Sequence, residues 1–335
     1  YKSGYAATSG KWNTAVGTDT LGAMTTASGN VAVGYQAGVS LTTGNNNVFV
    51  GEYAGKSSIG GLYSVAVGFD ALNTTTASIY NVAVGYQTMR NYTQATAGYN
   101  VAMGPKAMYN IETGSNNTVI GNEAMYGKAG TDNDDNVVIG QSALYTASGV
   151  NNTVAIGHYS MNVATTGVKN VAVGAYTLDA LTTASGNVAV GYNSLSASTT
   201  AHENTAVGQD AGKTVTGGYN TIIGSKAASQ ASSLSVSVVI GREAMGGADS
   251  TGGANVAIGN NAAYNYVSGD DNVWIGRGAG SGSTTAIRNV AVGKEALPAL
   301  QDSTNGGQNT AIGYRAGYVL IGMRNTIIGQ SAGST

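Results

Sequence analysis

One pentapeptide, Asn30-Val31-Ala32-Val33-Gly34 in its commonest form, returns nineteen times between Asn13 and Gly329. Its closing glycines, from Gly17, Gly34 and Gly51 through Gly174 and Gly191 to Gly313 and Gly329, stand 16 to 20 residues apart, and most intervals are 17. A fixed short period carried through a whole chain belongs to stacked structural units, none of which encloses a core alone. The chain is therefore expected to form a single repeat domain over residues 12–335, preceded by a lead-in segment over residues 1–11. No linker divides it. Charged residues are 10% of the chain, against about 25% in globular proteins, and its 51 glycines complete the composition of a fibre or solenoid.

Counting each closing glycine as position zero, position −1 is Val, Ile or Met and position −3 is Val or Thr in every unit. Alternation along a strand puts these two on one side and position −2 on the other. Position −2 is Ala in twelve units, with Phe49, Val119, Val138, Ile222, Val239, Trp274 and Ile327 as exceptions. Apolar residues on both sides predict a strand buried on both faces. The Val/Ile side is expected to be the core; the Ala side, with the small residues at +3, is expected to let another sheet approach closely. The fold class is then all-β, a parallel β-roll of about nineteen rungs of 16–20 residues. At about 4.8 Å per strand spacing such a stack would be roughly 90 Å long.

Position −4 is Asn in sixteen units, with Ser64, Thr153 and Ser237 standing in. At a corner repeated in every rung, an Asn side chain bonds the backbone near it and the equivalent Asn of the next rung, which predicts a polar ladder that fixes register. The closing glycine predicts a positive φ or a place with no room for Cβ. Mixed residues at +1 and +2, such as Tyr35 and Gln36 or Arg242 and Glu243, mark a solvated bend, and all length variation falls in Thr/Ser/Gly/Asn-rich loops such as Thr182 to Gly186.

A net charge of −2 without any Lys/Arg block argues against nucleic acid as a partner. No apolar run reaches the roughly 18 residues of a membrane-spanning helix, so membrane insertion is not expected. The chain has no cysteine, which removes disulfide staples and thiolate metal sites. The first unit begins at Trp12 after a short lead-in and Ser331 to Thr335 stops in mid-repeat, so a piece of a longer, uncapped fibre is expected.

The units NTAVG, NTAIGYRAG and NVAVGYQAG resemble the N-T-A-I-G-x-x-A-L repeats of phage tail fibres, and they are similar to the S-x-A-I-G-x-x-A repeats of the YadA-like head of trimeric autotransporter adhesins. The resemblance runs through essentially the whole chain and implies a left-handed β-roll and a homotrimer, side by side or intertwined. The YadA-like unit is shorter, about 14 residues, and no chaperone domain, anchor or stalk sequence follows here; what the families share is a structural motif, so no functional residue is carried over.

Several stretches approach motifs that carry chemistry. Gly51 to Ser57 reads GEYAGKS and Gly208 to Thr214 reads GQDAGKT, but each has three residues between its glycines where a phosphate-binding loop has four. Asp132-Asn133-Asp134-Asp135-Asn136 begins like a calcium loop, yet Val137 stands where that motif needs Gly, so a solvated loop tip is expected there, with a weak cation site as the alternative. The only histidines are His158 and His202, too few for a three-histidine metal site and without a recurring Ser or Asp. Asp70 with Asp210, and Glu123 with Glu243, share a position in the repeat but lie eight and seven rungs apart. No catalytic, metal or cofactor residue is expected. Tyr35, Tyr86, Tyr192 and Tyr314 at +1, and Tyr63, Tyr80, Tyr92 and Tyr99 in loops, are read as bridging an apolar body and water, with stacking on sugars as the functional alternative.

The sequence thus points to a structural phage tail fibre on the virion that contributes to host attachment, with its own copies, other tail or fibre proteins beyond its ends and a host-surface glycan or protein as partners. A bacterial surface adhesin head, located at the cell surface, is the alternative of the same architecture. An ice-binding solenoid is the alternative of another class, disfavoured because Thr takes only six of the nineteen −3 positions and otherwise lies in irregular loops.

Overall fold

A computed structural model describes residues 3–77, 79–94, 98–300, 307–320 and 322–333. Residues 1–2 of the expected lead-in and 334–335 of the last repeat lie outside these. The chain divides into two units, Tyr1–Lys169 and Asn170–Thr335. Each is a parallel β-solenoid with no helix among its described residues. The first unit holds nine three-residue strands, from β1 (Thr14–Val16) to β9 (Val154–Ile156), and the second holds twelve, from β10 (Val171–Val173) to β21 (Thr326–Ile328). All but two are the pentapeptide strands; β14 (Ser233–Ser235) and β16 (Thr251–Gly253) pair with each other on a separate side.

Within each unit successive pentapeptide strands pair in register, Ala32 opposite Phe49 and Val188 opposite Thr205. The connections pair as well. The Gln36 N–H donates to the Thr18 carbonyl and the Leu195 N–H to the Ala211 carbonyl, each at 3.0 Å. Thr25 Oγ1 donates to the Thr42 carbonyl at 3.1 Å, and Thr182 Oγ1 to the Thr199 carbonyl at 3.1 Å. The loops read as irregular are therefore in register too, because backbone groups at the perimeter of a stack find partners only in the rungs above and below.

The two faces of the strand are reversed from the expectation. Position −2 points inward: Ala32, Phe49, Ala189 and Trp274 are fully buried, as are the +3 residues Ala37 and Ala211. Positions −1 and −3 point outward, half-exposed or exposed. The Ala column is thus part of the core. The cause is width: a rung of about seventeen residues leaves room inside for methyl groups, and Leu or Met at +4 fill what remains, as Leu72, Met125 and Leu178 do. Where position −2 is bulky, position +4 gives way. The Phe49 ring lies 2.8 Å from where a Cβ on Gly38 would stand and 2.5 Å from one on Gly55, and the Trp274 ring lies 2.3 Å from one on Gly280. Core volume is conserved by pairing the largest residue with the smallest.

Three positions per rung are left-handed although few of them are glycine: −5 (Tyr63, φ 53°), +2 (Gln36, φ 53°) and +4 (Leu72, φ 52°). Each such L-residue costs roughly 1–2 kcal/mol. At +4 the burial of a Leu or Met side chain, about 1.5–3 kcal/mol, outweighs that cost. At −5 nothing comparable offsets it, and Val236 is the extreme case, β-branched, at φ 51° and 61% exposed. Val236→Asn, which gives this position the residue that Asn46 and Asn116 supply elsewhere, is expected to raise stability by about 1 kcal/mol. An unchanged or lowered denaturation midpoint would contradict this.

The closing glycine and the Asn corner behave as the repeat predicts. Gly34, Gly191 and Gly276 have φ of 133°, 133° and 134°. Asn187 Oδ1 accepts from the Asn204 N–H at 3.0 Å, and Asn187 Nδ2 donates to Asn170 Oδ1 at 3.2 Å and to the Ala201 carbonyl at 2.9 Å. The same links recur from Asn100 through Asn117 to Asn136 in the first unit and from Asn255 through Asn272 to Asn289 in the second.

Candidate functional site

The stretches that approach chemical motifs in the sequence make contacts within the scaffold. Gly51 is a bend glycine, Gly55 lies under Phe49, and Lys56 Nζ sits 4.5 Å over the Tyr53 ring, so GEYAGKS forms no anion cradle. In GQDAGKT, Gly212 packs against Ile222 and Leu195. Asp132 bridges to Thr113 in parallel, while Asp134 Oδ1 accepts from the Ser115 N–H at 2.6 Å and from Ser115 Oγ at 3.0 Å. That loop is part of the rung-to-rung bonding, not a free tip. Among the described residues, no three His, Asp or Glu side chains gather as metal ligands. His202 Nδ1 accepts from the Ser185 N–H at 3.0 Å, the part that Asn45 Oδ1 plays for the Ser28 N–H at 2.7 Å. His158 packs edge-on against Tyr159.

Asp70 is buried and takes hydrogen bonds from Arg90 Nε, Asn73 Nδ2 and Gln87 Nε2. The bond to Asp70 holds the Arg90 guanidinium above its ordinary pKa. Asp70 is therefore a structural ion-pair partner of Arg90; it lies in the first unit and Asp210 in the second. Glu123 and Glu243 are likewise in different units.

The tyrosines divide by environment. Tyr92 is fully buried, its hydroxyl donating to the Gly114 carbonyl at 2.9 Å, and burial pushes its phenol pKa well up. Tyr266 is buried and shifted in the same way. Tyr63, Tyr80 and Tyr99 form an exposed ladder, with ring centroids 5.2 and 5.1 Å apart and planes within 6° of parallel. A ring inside that ladder has both faces covered, so Tyr80 offers a sugar only its edge. At +1, Tyr86 stacks on Phe69 at 5.5 Å, Tyr35 meets Tyr53 edge-on at 5.4 Å, and Lys294 and Arg315 lie over Tyr314.

What remains open is the outward side of the strands. In each unit the −1 and −3 side chains form two adjacent columns of Val, Ile, Met and Thr, with Met103 43% and Ile312 40% exposed. No charged residue occupies either column. Neither a family model, nor a characterised protein, nor a solved structure matches this chain. The reading of function therefore rests on its own surfaces.

A second open surface lies between the +2 and +5 columns. In four successive rungs of the first unit the +5 column is filled by Arg90, Tyr109, Tyr126 and Tyr145, the three rings stacked 5.1 and 5.0 Å apart. In the second unit the same column reads Ser229, Gly246, Tyr264, Ser281, Pro298 and leaves two cavities, of about 400 Å³ and 520 Å³. Tyr264 lines both. Tyr264 shares position +5 with Tyr109, Tyr126 and Tyr145; what sets it apart in the sequence is the small residues at that position in the rungs on either side.

Proposed function

We propose that this chain is the shaft of a phage tail fibre that contributes to host attachment, built as a parallel homotrimer and carrying no catalytic step of its own. The observation that carries this reading is the outward ribbon of Val, Ile, Met and Thr. A continuous exposed apolar strip marks an interaction surface or an aggregation hazard. A partner that covers it along its length must present apolar groups at the same rung spacing, and further copies of the same chain meet that condition by construction. The uncharged ribbon asks for no complementary charge. The likeness of NTAIGYRAG and NVAVGYQAG to tail-fibre repeats and to trimeric adhesin heads supports the same arrangement, with the virion as its location, other tail proteins joining beyond the ends, and a host glycan or protein as the distal partner.

Sedimentation equilibrium tests the assembly. The expected mass is that of three chains, and Val190→Asp, a charge placed in the ribbon between Val173 and Val207, is expected to yield single chains that keep their β-sheet circular dichroism. A wild-type protein that sediments singly would overturn the trimer. Immunogold labelling of the source material addresses location: label on virion tail appendages supports a phage fibre, while label on a bacterial envelope favours an adhesin head.

A further inference from the structure

We infer that the open groove around Tyr264 in the second unit is a saccharide-binding site, the ligand a linear oligosaccharide laid across the Tyr264 ring with sugar units in the cavities on either side. This rests on the adhesive part of the proposed function and assigns it a place. The two cavities, of about 400 and 520 Å³, fall within the usual size of ligand pockets, about 300–1,000 Å³. Tyr264 is the one residue that lines both. The ring is set in place by a glycine, since a Cβ on Gly247 would stand 2.4 Å from it.

The lining selects the chemistry. Pyranose C–H bonds pack on the electron-rich face of an aromatic ring, and the hydroxyls around them need fixed donors and acceptors in mixture. The smaller cavity offers Lys213 and Lys226 as donors, with no ion-pair partner among the described residues, beside two acidic acceptors held by their neighbours, Asp210 by Asn193 and Gln209 and Glu243 by Arg242. The larger offers Asn260, Asn265 and Arg277, and Asn261, which also lines it, has its Oδ1 buried without a hydrogen-bond partner. An apolar ligand would leave Lys213, Lys226 and the Asn261 Oδ1 without partners. A polyanion such as nucleic acid would meet Asp210 and Glu243. A polyhydroxylated chain satisfies both signs at once.

The first unit supplies the internal control. There the corresponding groove is closed by the Tyr109, Tyr126 and Tyr145 stack, so a tyrosine beside Tyr264 is compatible with the fold and shuts the site. Ser281→Tyr rebuilds that stack; Tyr264→Ser removes the platform with the residue that Ser229 and Ser281 already place in the column. Both variants are therefore expected to fold, as checked by circular dichroism.

The test is titration calorimetry of the full chain with di- to tetrasaccharides of glucose, galactose, mannose and N-acetylglucosamine. Binding of at least one series, weakened about ten-fold or more by each variant, is the expected result. Binding that both variants leave unchanged would overturn the site, and so would absence of binding to every series. The same samples are run in the ultracentrifuge, which separates the two readings. A chain that sediments singly yet binds sugar through Tyr264 would overturn the trimeric shaft and keep the groove. A trimer that binds none of these sugars would overturn the groove alone.

Discussion

Gly191→Val will destabilise the second unit by roughly 4 kcal/mol or more, one of the two largest single-residue effects expected in this chain. Two costs combine. The residue sits at φ 133°, where an L side chain is strained by about 1–3 kcal/mol. Its Cβ would also stand 2.5 Å from the Gly208 carbonyl oxygen and 2.6 Å from the Gly208 carbonyl carbon, and backbone of the next rung does not move aside as a side chain would. Gly130→Asn is the matched control, because Gly130 is left-handed at φ 77° and a Cβ there meets nothing within 4 Å. Its stability is expected to change by no more than about 1 kcal/mol. Thermal and urea unfolding followed by circular dichroism check both; wild-type melting of Gly191→Val would mean that the glycine column is not where the rungs touch.

Asn187→Ala is the second large effect. Its removal strands two buried groups, the Asn204 N–H and the Ala201 carbonyl, which lose partners now at 3.0 and 2.9 Å. At about 1–3 kcal/mol for each unsatisfied group, the loss is roughly 2–6 kcal/mol. Serine should recover part of it, as the natural replacements indicate: Ser237 Oγ accepts from the Asn255 N–H at 3.2 Å, and Ser64 Oγ accepts from the Asn81 N–H at 3.4 Å. Equal losses for Asn187→Ala and Asn187→Ser would assign the effect to side-chain volume and not to the ladder.

Much of this was legible from the repeat, because whatever recurs once per rung acts once per rung. The three-residue strands, the glycine bend and the Asn corner follow from residues at fixed spacing, and each stands where the period puts it. The inside and outside of the strand were not legible by bulk alone. Val and Ile are larger than Ala, and ranking by hydrophobicity sends the larger pair inward, whereas the narrow roll has room at −2 mostly for a small side chain where Leu or Met fills +4. A decisive signal was present but spread across two positions. Each glycine at +4, namely Gly38, Gly55, Gly212, Gly280, Gly317 and Gly333, belongs to or precedes a rung with Phe49, Ile222, Trp274 or Ile327 at −2. Such exchange of volume occurs between side chains that share an interior. The Tyr264 groove was illegible for the opposite reason, since it arises where the column departs from its bulky form.

The large-and-small pairs inside the rungs have a consequence for how the chain finds its structure. A tandem array of near-identical segments invites mispairing, in which a nascent rung docks on a neighbour once removed and leaves the intervening one looped out. Between rungs that carry only Ala at −2 such an error meets little opposition. Phe49, flanked by Gly38 and Gly55, and Trp274, with Gly280 beneath its ring, fit no other pairing without a clash or a void. They act as unique keys in an otherwise repetitive lock, punishing a slipped intermediate early and dividing a long assembly problem into short stretches between checkpoints.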